Sequence, residues 1–431
     1  MTVLDLYLDG ALCGSIEQAG GGNLLFHYDA GYRVRPHPTP LSLSMPLAAG
    51  VHKKRTVLPF LQGLLPDNDE ALGAMARRFG VSARSPFALL EHVGSDVAGA
   101  VEIVGAGIDA SDADQGGSRV RPVDRAEIGL MLSHVVSEYT DGVPYDDPAG
   151  RFSLAGAQPK IALHRFGDGS WGVPEDSTPT THILKPAVGQ IRRLDVVEQL
   201  TMHAAAYLGL DVAETELETI AGWDVFVTRR YDRAYRDGVW RRLHQEDLCQ
   251  ALAVTPAKKY QHRDGGPGLS EIAKLLRSLP FEADRRAAGQ AFYRAFVFNV
   301  VAGCTDAHAK NYSLMLEGAF VRLAPLYDLA TYAPYWNGVS PLNSAMSVGG
   351  EYRFDRIGGQ NLAAAGRQFG VSPEDARDIV EATREGVVEG FEYAIAHLAA
   401  VGPEVMLAVD DLMRGLRRLP LVPAAGGLRA R

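Results

Sequence analysis

The order of its hydrophobic periods constrains this chain more than any other feature: strand-like bursts come first and long helix-like runs come last. "KIALHRF", "SWGVPE" and "THILKPA" read as three short strands, and "AETELETIAGWDVFVTRRYDR" returns to strand and hairpin character after the helical spacing of "RRLDVVEQLTMHAAAYLGL". From about residue 245 the helical period dominates, through "ADRRAAGQAFYRAFVFNVVAGC", "SPEDARDIVEATREGVVEGFEYAIAHLAA" and "PEVMLAVDDLMRGLRRL". Strands followed by helices imply an α+β, two-lobed region with a strand-rich small lobe and a helical large lobe.

A small β-rich subdomain precedes it. Residues 2 to 35 alternate apolar and polar around the turn signals "DGAL" and "DAGY", and "DNDEALGAMARRFGV" reads as a capped helix stopped by Gly80. "IDASDADQGGSRVRPVD" is rich in Gly, Ser and Asp, which sets a linker over 106–122. The expected organisation is therefore an N-terminal subdomain over 1–105, the linker, a strand-rich lobe over 123–245 that opens with the helical "RAEIGLMLSHVVSEY", and a helical lobe over 246–431.

Composition narrows the function. With 431 residues the chain has room for more than one core, and a net charge of −9 opposes direct groove binding to nucleic acid. Cys13, Cys249 and Cys304 are few, far apart and odd in number, which fits a reducing compartment and offers no zinc spacing. The start "MTVLDLYLDG" carries acidic residues where a secretory leader carries basic ones, and no stretch of about 18 apolar residues runs uncharged. A cytoplasmic location is the expectation.

The chemistry gathers in "CTDAHAKNYSL", residues 304 to 314, directly after an apolar helical run. Asp306 and Asn311 stand five apart, and Asp328 in "LAPLYDLA" follows across the hairpin-like "YSLMLEGAFVRLAP". A carboxylate with a neutral carbonyl ligand in the same loop handles a hydroxyl proton and a hard cation together, and magnesium takes one or two carboxylates plus phosphate oxygens. Upstream, "THILKPA" places Lys185 on a strand, the next helical run carries Glu198 as a carboxylate to hold it, and "RFSLAGAQPKIAL" offers small residues around Gly156 for an anion to approach backbone amides.

Each residue alone has a plainer reading. Asp306 caps or stops a helix, Asn311 and Asp328 sit in turns, Lys185 is a solvated strand end, Ser153 is a loop serine and Glu198 is a helix-surface carboxylate. The order of loop, lysine strand, acidic helix, Asp-x4-Asn, hairpin and aspartate favours phosphoryl transfer over that coincidence. A metallohydrolase would use His308 beside Asp306, but His203, His244 and His262 supply no i, i+4 pair. His308 and Lys310 either orient the loop or face the transferring phosphate.

At these residues the sequence resembles the HipA family of bacterial serine/threonine kinases, the toxin halves of type II toxin–antitoxin modules. "FSLAGAQPK" is similar to the family's phosphate loop, "HILKP" to its nucleotide lysine strand, and "CTDAHAKNYSL" and "LAPLYDLA" to its catalytic loop and metal segment; "RLHQEDLCQAL" and "KYQHRDGGPG" are further family segments. The resemblance implies a protein-kinase-like core using ATP and Mg2+, with Asp306 as catalytic base and Asn311 and Asp328 as metal ligands. It further implies that Lys185 and the loop residues Ser153, Ala155, Gly156, Ala157 and Gln158 meet the nucleotide, and that Ser153 is a self-phosphorylation site whose phosphate switches the enzyme off. "VTRRYDR" departs from the family by placing Arg229 where an acidic residue stands between the lobes, next to the implied adenine contact Tyr231. The loop also lacks Gly-x-Gly-x-x-Gly, so Lys160 is a candidate to share the phosphates with Lys185. The implied target is an aminoacyl-tRNA synthetase, whose inactivation arrests growth and underlies persistence. The implied partner is a HipB-like helix-turn-helix antitoxin that brings the acidic toxin to DNA only indirectly. A small-molecule kinase on the same core and a catalytically silent antitoxin-binding or co-repressor module stay open as alternatives.

Overall fold

The computed structural model describes residues 2–108, 119–145, 154–175, 178–189, 191–400 and 402–423. The chain forms two compact units that interleave in sequence: residues 1–186, 218–257 and 314–320 make the first, and 187–217, 258–313 and 321–431 the second.

The first unit holds two separate apolar cores. Strands β1 (Thr2–Leu8), β2 (Ala11–Ala19), β3 (Asn23–Tyr28), β4 (Val51–Lys53) and β5 (Val101–Gly105) form a sheet in the order β4-β3-β2-β1-β5. Leu4, Leu6, Ile16 and Phe26 alternate inward from it and meet Phe60 and Leu61 of helix α1 (Lys54–Gly63) and Leu89, Leu90 and Val93 of α3 (Pro86–Val93). Between these helices, α2 (Asp69–Phe79) shows why local sequence fixes its ends. Asn68 Oδ1 accepts the Ala71 N–H at 2.8 Å, Asp69 and Glu70 occupy the first turn, Arg77 and Arg78 the last, and Gly80 closes it at φ +67°.

The second core lies under a six-stranded sheet of order β10-β11-β9-β7-β8-β6. Its strands are β6 (Val120–Val123), β7 (Ile161–Arg165), β8 (Trp171–Pro174), β9 (His182–Pro186), β10 (Thr215–Ile220) and β11 (Trp223–Arg229). Ile128, Met131, Leu132 and Val135 of helix α4 (Arg125–Thr140) pack on Leu163, Trp171, Leu184, Val225 and Val227. Strand β6 falls partly in the stretch read as a linker: Val120–Val123 pairs antiparallel with β8, so the alternation of "VRPV" outweighs the Gly/Ser-rich run before it.

The second unit is mainly helical, built from α5 (Leu194–Tyr207), α6 (Leu269–Arg277), α7 (Glu282–Val301), α8 (Pro373–Ala396) and α9 (Pro403–Leu416). Helix α7 is its axis, with Phe292, Tyr293, Phe296, Val297 and Val301 buried along nearly its whole C-terminal half. Among the described residues no helix is long and apolar enough to cross a membrane.

Candidate active site

Helix α7 stops where the polar run begins. Gly303 takes φ +71°, a conformation that favours glycine, and its carbonyl accepts the Tyr332 N–H at 3.0 Å. Cys304 follows, buried, with its N–H on Asn299 O at 2.8 Å. The other end of the loop is anchored by Tyr312, which is buried against Phe292 at 4.8 Å between ring centroids and whose hydroxyl accepts Asn299 Nδ2–H at 2.8 Å. Burial pushes the Tyr312 phenol well above its ordinary range, so it stays a neutral anchor.

Between these anchors Asp306 faces outward, its side chain 64 % exposed, while His308, Lys310 and Asn311 are buried. The carbonyl of Asp306 accepts both the His308 N–H and Asn311 Nδ2–H at 2.8 Å. A carbonyl can only accept, so this bond fixes which end of the Asn311 amide faces it: Nδ2 turns inward and Oδ1 turns away, the atom a hard cation uses. The Asp306 carboxylate has Tyr260 Oη donating to Oδ1 and His308 Nε2 at 3.9 Å from the same oxygen.

Asp328 joins this loop through its neighbour. Tyr327 Oη donates to Lys310 O at 2.9 Å and, its one hydrogen spent, accepts from Ser313 Oγ at 2.7 Å. Asp328 itself is held at φ +58°, an uncommon backbone for a non-glycine residue and one that recurs at functional sites. Among the described residues no group of three or more His, Cys, Asp or Glu side chains stands together to hold a metal. One carboxylate and one amide oxygen suit magnesium completed by phosphate oxygens and water rather than an all-protein cage.

The remaining candidates lie in the first unit. Lys185 is on β9, opposite Phe226 of β11, with Nζ 5.4 Å from that ring's centroid. Ala155, Gly156, Ala157 and Gln158 form an irregular segment in which Gly156 has φ +113° and its carbonyl accepts the Asp67 N–H at 3.0 Å. Lys160 Nζ donates to Ala155 O at 2.7 Å, and a Cβ on Gly156 would stand 2.5 Å from that nitrogen. Tyr231 donates to Gln245 Oε1. Ser153 lies outside the described residues. Glu198 is on α5 in the second unit and is 3 % exposed, a buried carboxylate and not the surface one that its plainer reading gives.

Thus Asp306, His308, Lys310 and Asn311 share one loop, with Asp328 joined to it through Tyr327, in the second unit, whereas Lys185, Lys160, Tyr231 and the small-residue segment belong to the first. Sequence reasoning gave no role to Tyr260 or Tyr327. Each acts through one hydroxyl on a partner 46 or 17 residues away, and the only signal was the presence of Tyr260 in "KYQHRDGGPG" and of Tyr327 beside Asp328.

Residues 152–391 match the model of the HipA-like C-terminal domain, and residues 4–104 that of the HipA N-terminal domain. The chain belongs to the HipA family. A putative kinase, Y4mE of Sinorhizobium fredii, is 34 % identical over 400 residues, covering 90 % of this chain and 92 % of that protein. The serine/threonine-protein kinase toxin HipA of Shewanella oneidensis is 29 % identical over 375 residues, covering 84 % and 82 %. The solved structure of Shewanella oneidensis HipA with HipB and operator DNA aligns at a TM-score of 0.79 and 24 % identity, over 96 % of this chain and 97 % of that one. The HipA fold, an α+β kinase-like core preceded by an N-terminal subdomain, therefore extends over nearly all of this chain.

Proposed function

We propose that this HipA-family member is an ATP- and magnesium-dependent serine/threonine protein kinase. The observation that carries the reading is the Asn311-to-Asp306 hydrogen bond, which makes the Asp-x4-Asn pair one rigid loop with a carboxylate pointing out and an amide oxygen turned away from its own backbone. In this reading Asp306 takes the proton of the acceptor hydroxyl. Asn311 Oδ1 and Asp328 hold magnesium, and Lys185, with Lys160 and the amides of Ala155 to Gln158, holds the nucleotide phosphates. Tyr231 lies against the base, while His308 and Lys310 orient the loop. The bound ATP–magnesium complex supplies the transferable phosphoryl group and neutralises charge on it. Everything else asked of the chain is positioning and one proton transfer, the two tasks phosphoryl transfer requires of a protein.

The target we infer is a protein hydroxyl on an aminoacyl-tRNA synthetase, making the chain a growth-arresting toxin of the cytoplasm. Its partner would be a HipB-like antitoxin, by analogy with the Shewanella complex, and it would reach DNA only through that partner, consistent with its net charge of −9. Phosphate on Ser153 would add nearly two negative charges where ATP phosphates bind and so act as an off switch.

The test is mass spectrometry of the full chain after incubation with ATP and magnesium, beside Asp306→Gln. Phosphate on Ser153 in the parent alone supports kinase chemistry with Asp306 as base. The absence of both ATP binding and phosphate in the two proteins would defeat the reading, and ATP binding without phosphate on Ser153 would remove the switch alone.

A further inference from the structure

The segment "KYQHRDGGPG" has a definite architecture for which the kinase reading so far gives no use. Tyr260 precedes a one-turn helix, Gln261–Asp264, and its carbonyl accepts the N–H groups of Asp264 at 3.1 Å and Gly266 at 3.0 Å. Gly265 closes the turn at φ +66°, and Gly266 passes so close to the Lys258 carbonyl that a Cβ would stand 2.0 Å from it. Gln261 Oε1 accepts the Ser347 N–H at 2.8 Å, which moors the turn to a strand elsewhere in the same unit. These features fix the backbone of one residue, Tyr260.

The tyrosine ring is fixed as well. Its face carries the Arg263 guanidinium at 4.5 Å and the Lys259 ammonium at 5.6 Å, and it meets the His308 ring nearly perpendicularly at 4.8 Å. Its hydroxyl ends on Asp306 Oδ1. We infer that Tyr260 is a positioning residue for the catalytic base: its phenol sets the rotation of the exposed Asp306 carboxylate. A base that samples several rotations spends little time aimed at the acceptor hydroxyl, and a donor fixed on one carboxylate oxygen limits those rotations. Tyr260 and His308 face Asp306, and Arg263, paired with Asp264, and Lys259 stand over the tyrosine ring.

This inference rests on the kinase reading, and Tyr260→Phe separates the two. The substitution keeps the ring and its contacts with His308 and Arg263, so the full chain should melt with the parent. With ATP and magnesium, the variant should bind ATP as tightly as the parent and transfer phosphate about tenfold more slowly, so that the loss falls on turnover and leaves the half-saturating ATP concentration where it was. An unchanged rate would overturn the role. A faster variant would also overturn it, since the hydroxyl would then be a plug in the acceptor position, and phosphate found on Tyr260 of the parent would make it an acceptor. A parent chain that neither binds ATP nor transfers phosphate fails at the kinase reading itself and takes this role with it.

Discussion

Asp96 offers the sharpest perturbation of the first unit. Its side chain is 1 % exposed and faces three arginines: Arg233 Nη2 at 2.7 Å, Arg230 Nη1 at 3.3 Å and Arg242 Nε at 3.4 Å. Thr180 adds its N–H at 3.0 Å and its hydroxyl at 2.6 Å, both to Oδ2. Asp232 and Glu102 complete the cluster, so three carboxyls meet three guanidiniums inside the protein. Burial opposes ionisation of Asp96, but the arginines outweigh it and hold the carboxyl well below the usual range. Asp96→Asn keeps the shape, removes one charge and turns an NH2 group towards one set of donors. Removing one partner of a buried ionic cluster costs roughly 3–5 kcal/mol, because the other charges stay buried. With a urea slope of about 3 kcal/mol per M, the unfolding midpoint of the first unit should fall by more than about 1 M. Asp96 is depressed in the folded state, so its stabilisation is present above the ordinary carboxylate range and lost as pH falls through the folded value; the variant should lack that acid-side loss. Glu282→Gln, which breaks the exposed Glu282–Arg286 pair, is the control and should move stability by less than about 1 kcal/mol. An Asp96→Asn midpoint within about 0.3 M of the parent, at the same slope, would refute the reasoning.

Three further outcomes follow from other parts of the chain. Burial pushes Glu246 from its ordinary 4.5 up to about 8, against the hydrogen bonds from Leu43 N–H and Ser42 and with Asp247 adding to it. Its contribution is therefore complete below about pH 4.5 and lost as pH rises towards 8; Glu246→Gln should flatten that part of the stability–pH curve, and parallel curves would show that Glu246 does not titrate there. Tyr327→Phe leaves Lys310 O and Ser313 Oγ short of a partner, at about 1–3 kcal/mol, and should slow phosphoryl transfer with ATP binding retained; an unchanged rate would detach the Asp328 segment from the chemistry. Asn311→Ala should raise the magnesium concentration for half-maximal transfer at least about tenfold, roughly the worth of one lost ligand or hydrogen bond to a charged group; a magnesium titration matching the parent would remove Asn311 from the metal site.

Which of these residues the sequence reveals depends on the range of the interaction that gives each its role. Helix α2 is readable because Asn68, the acidic first turn, the basic last turn and Gly80 all act within one helix. The loop from Asp306 to Asn311 is readable for the same reason: its defining bond spans five residues. The plainer reading of Glu198 as a helix-surface carboxylate fails because a helix with one apolar stripe is expected to turn its carboxylates to water, whereas every residue of α5 from Asp195 to Met202 is buried. The arginine cluster fails differently. Nothing local marks Arg230, Arg233 and Arg242 as buried, because the carboxylate all three share, Asp96, stands more than 130 residues earlier in the chain. Tyr260 combines both difficulties, since its backbone is set by local glycines that read as an ordinary turn while its hydroxyl acts on a carboxylate 46 residues on. A spacing motif therefore finds the groups proposed for the chemistry when they share a loop. The groups that aim them arrive from elsewhere in the chain, and what marks them is the rigidity of their own setting: a tyrosine held by two glycines, two cations and an imidazole is more tightly fixed than any surface role requires.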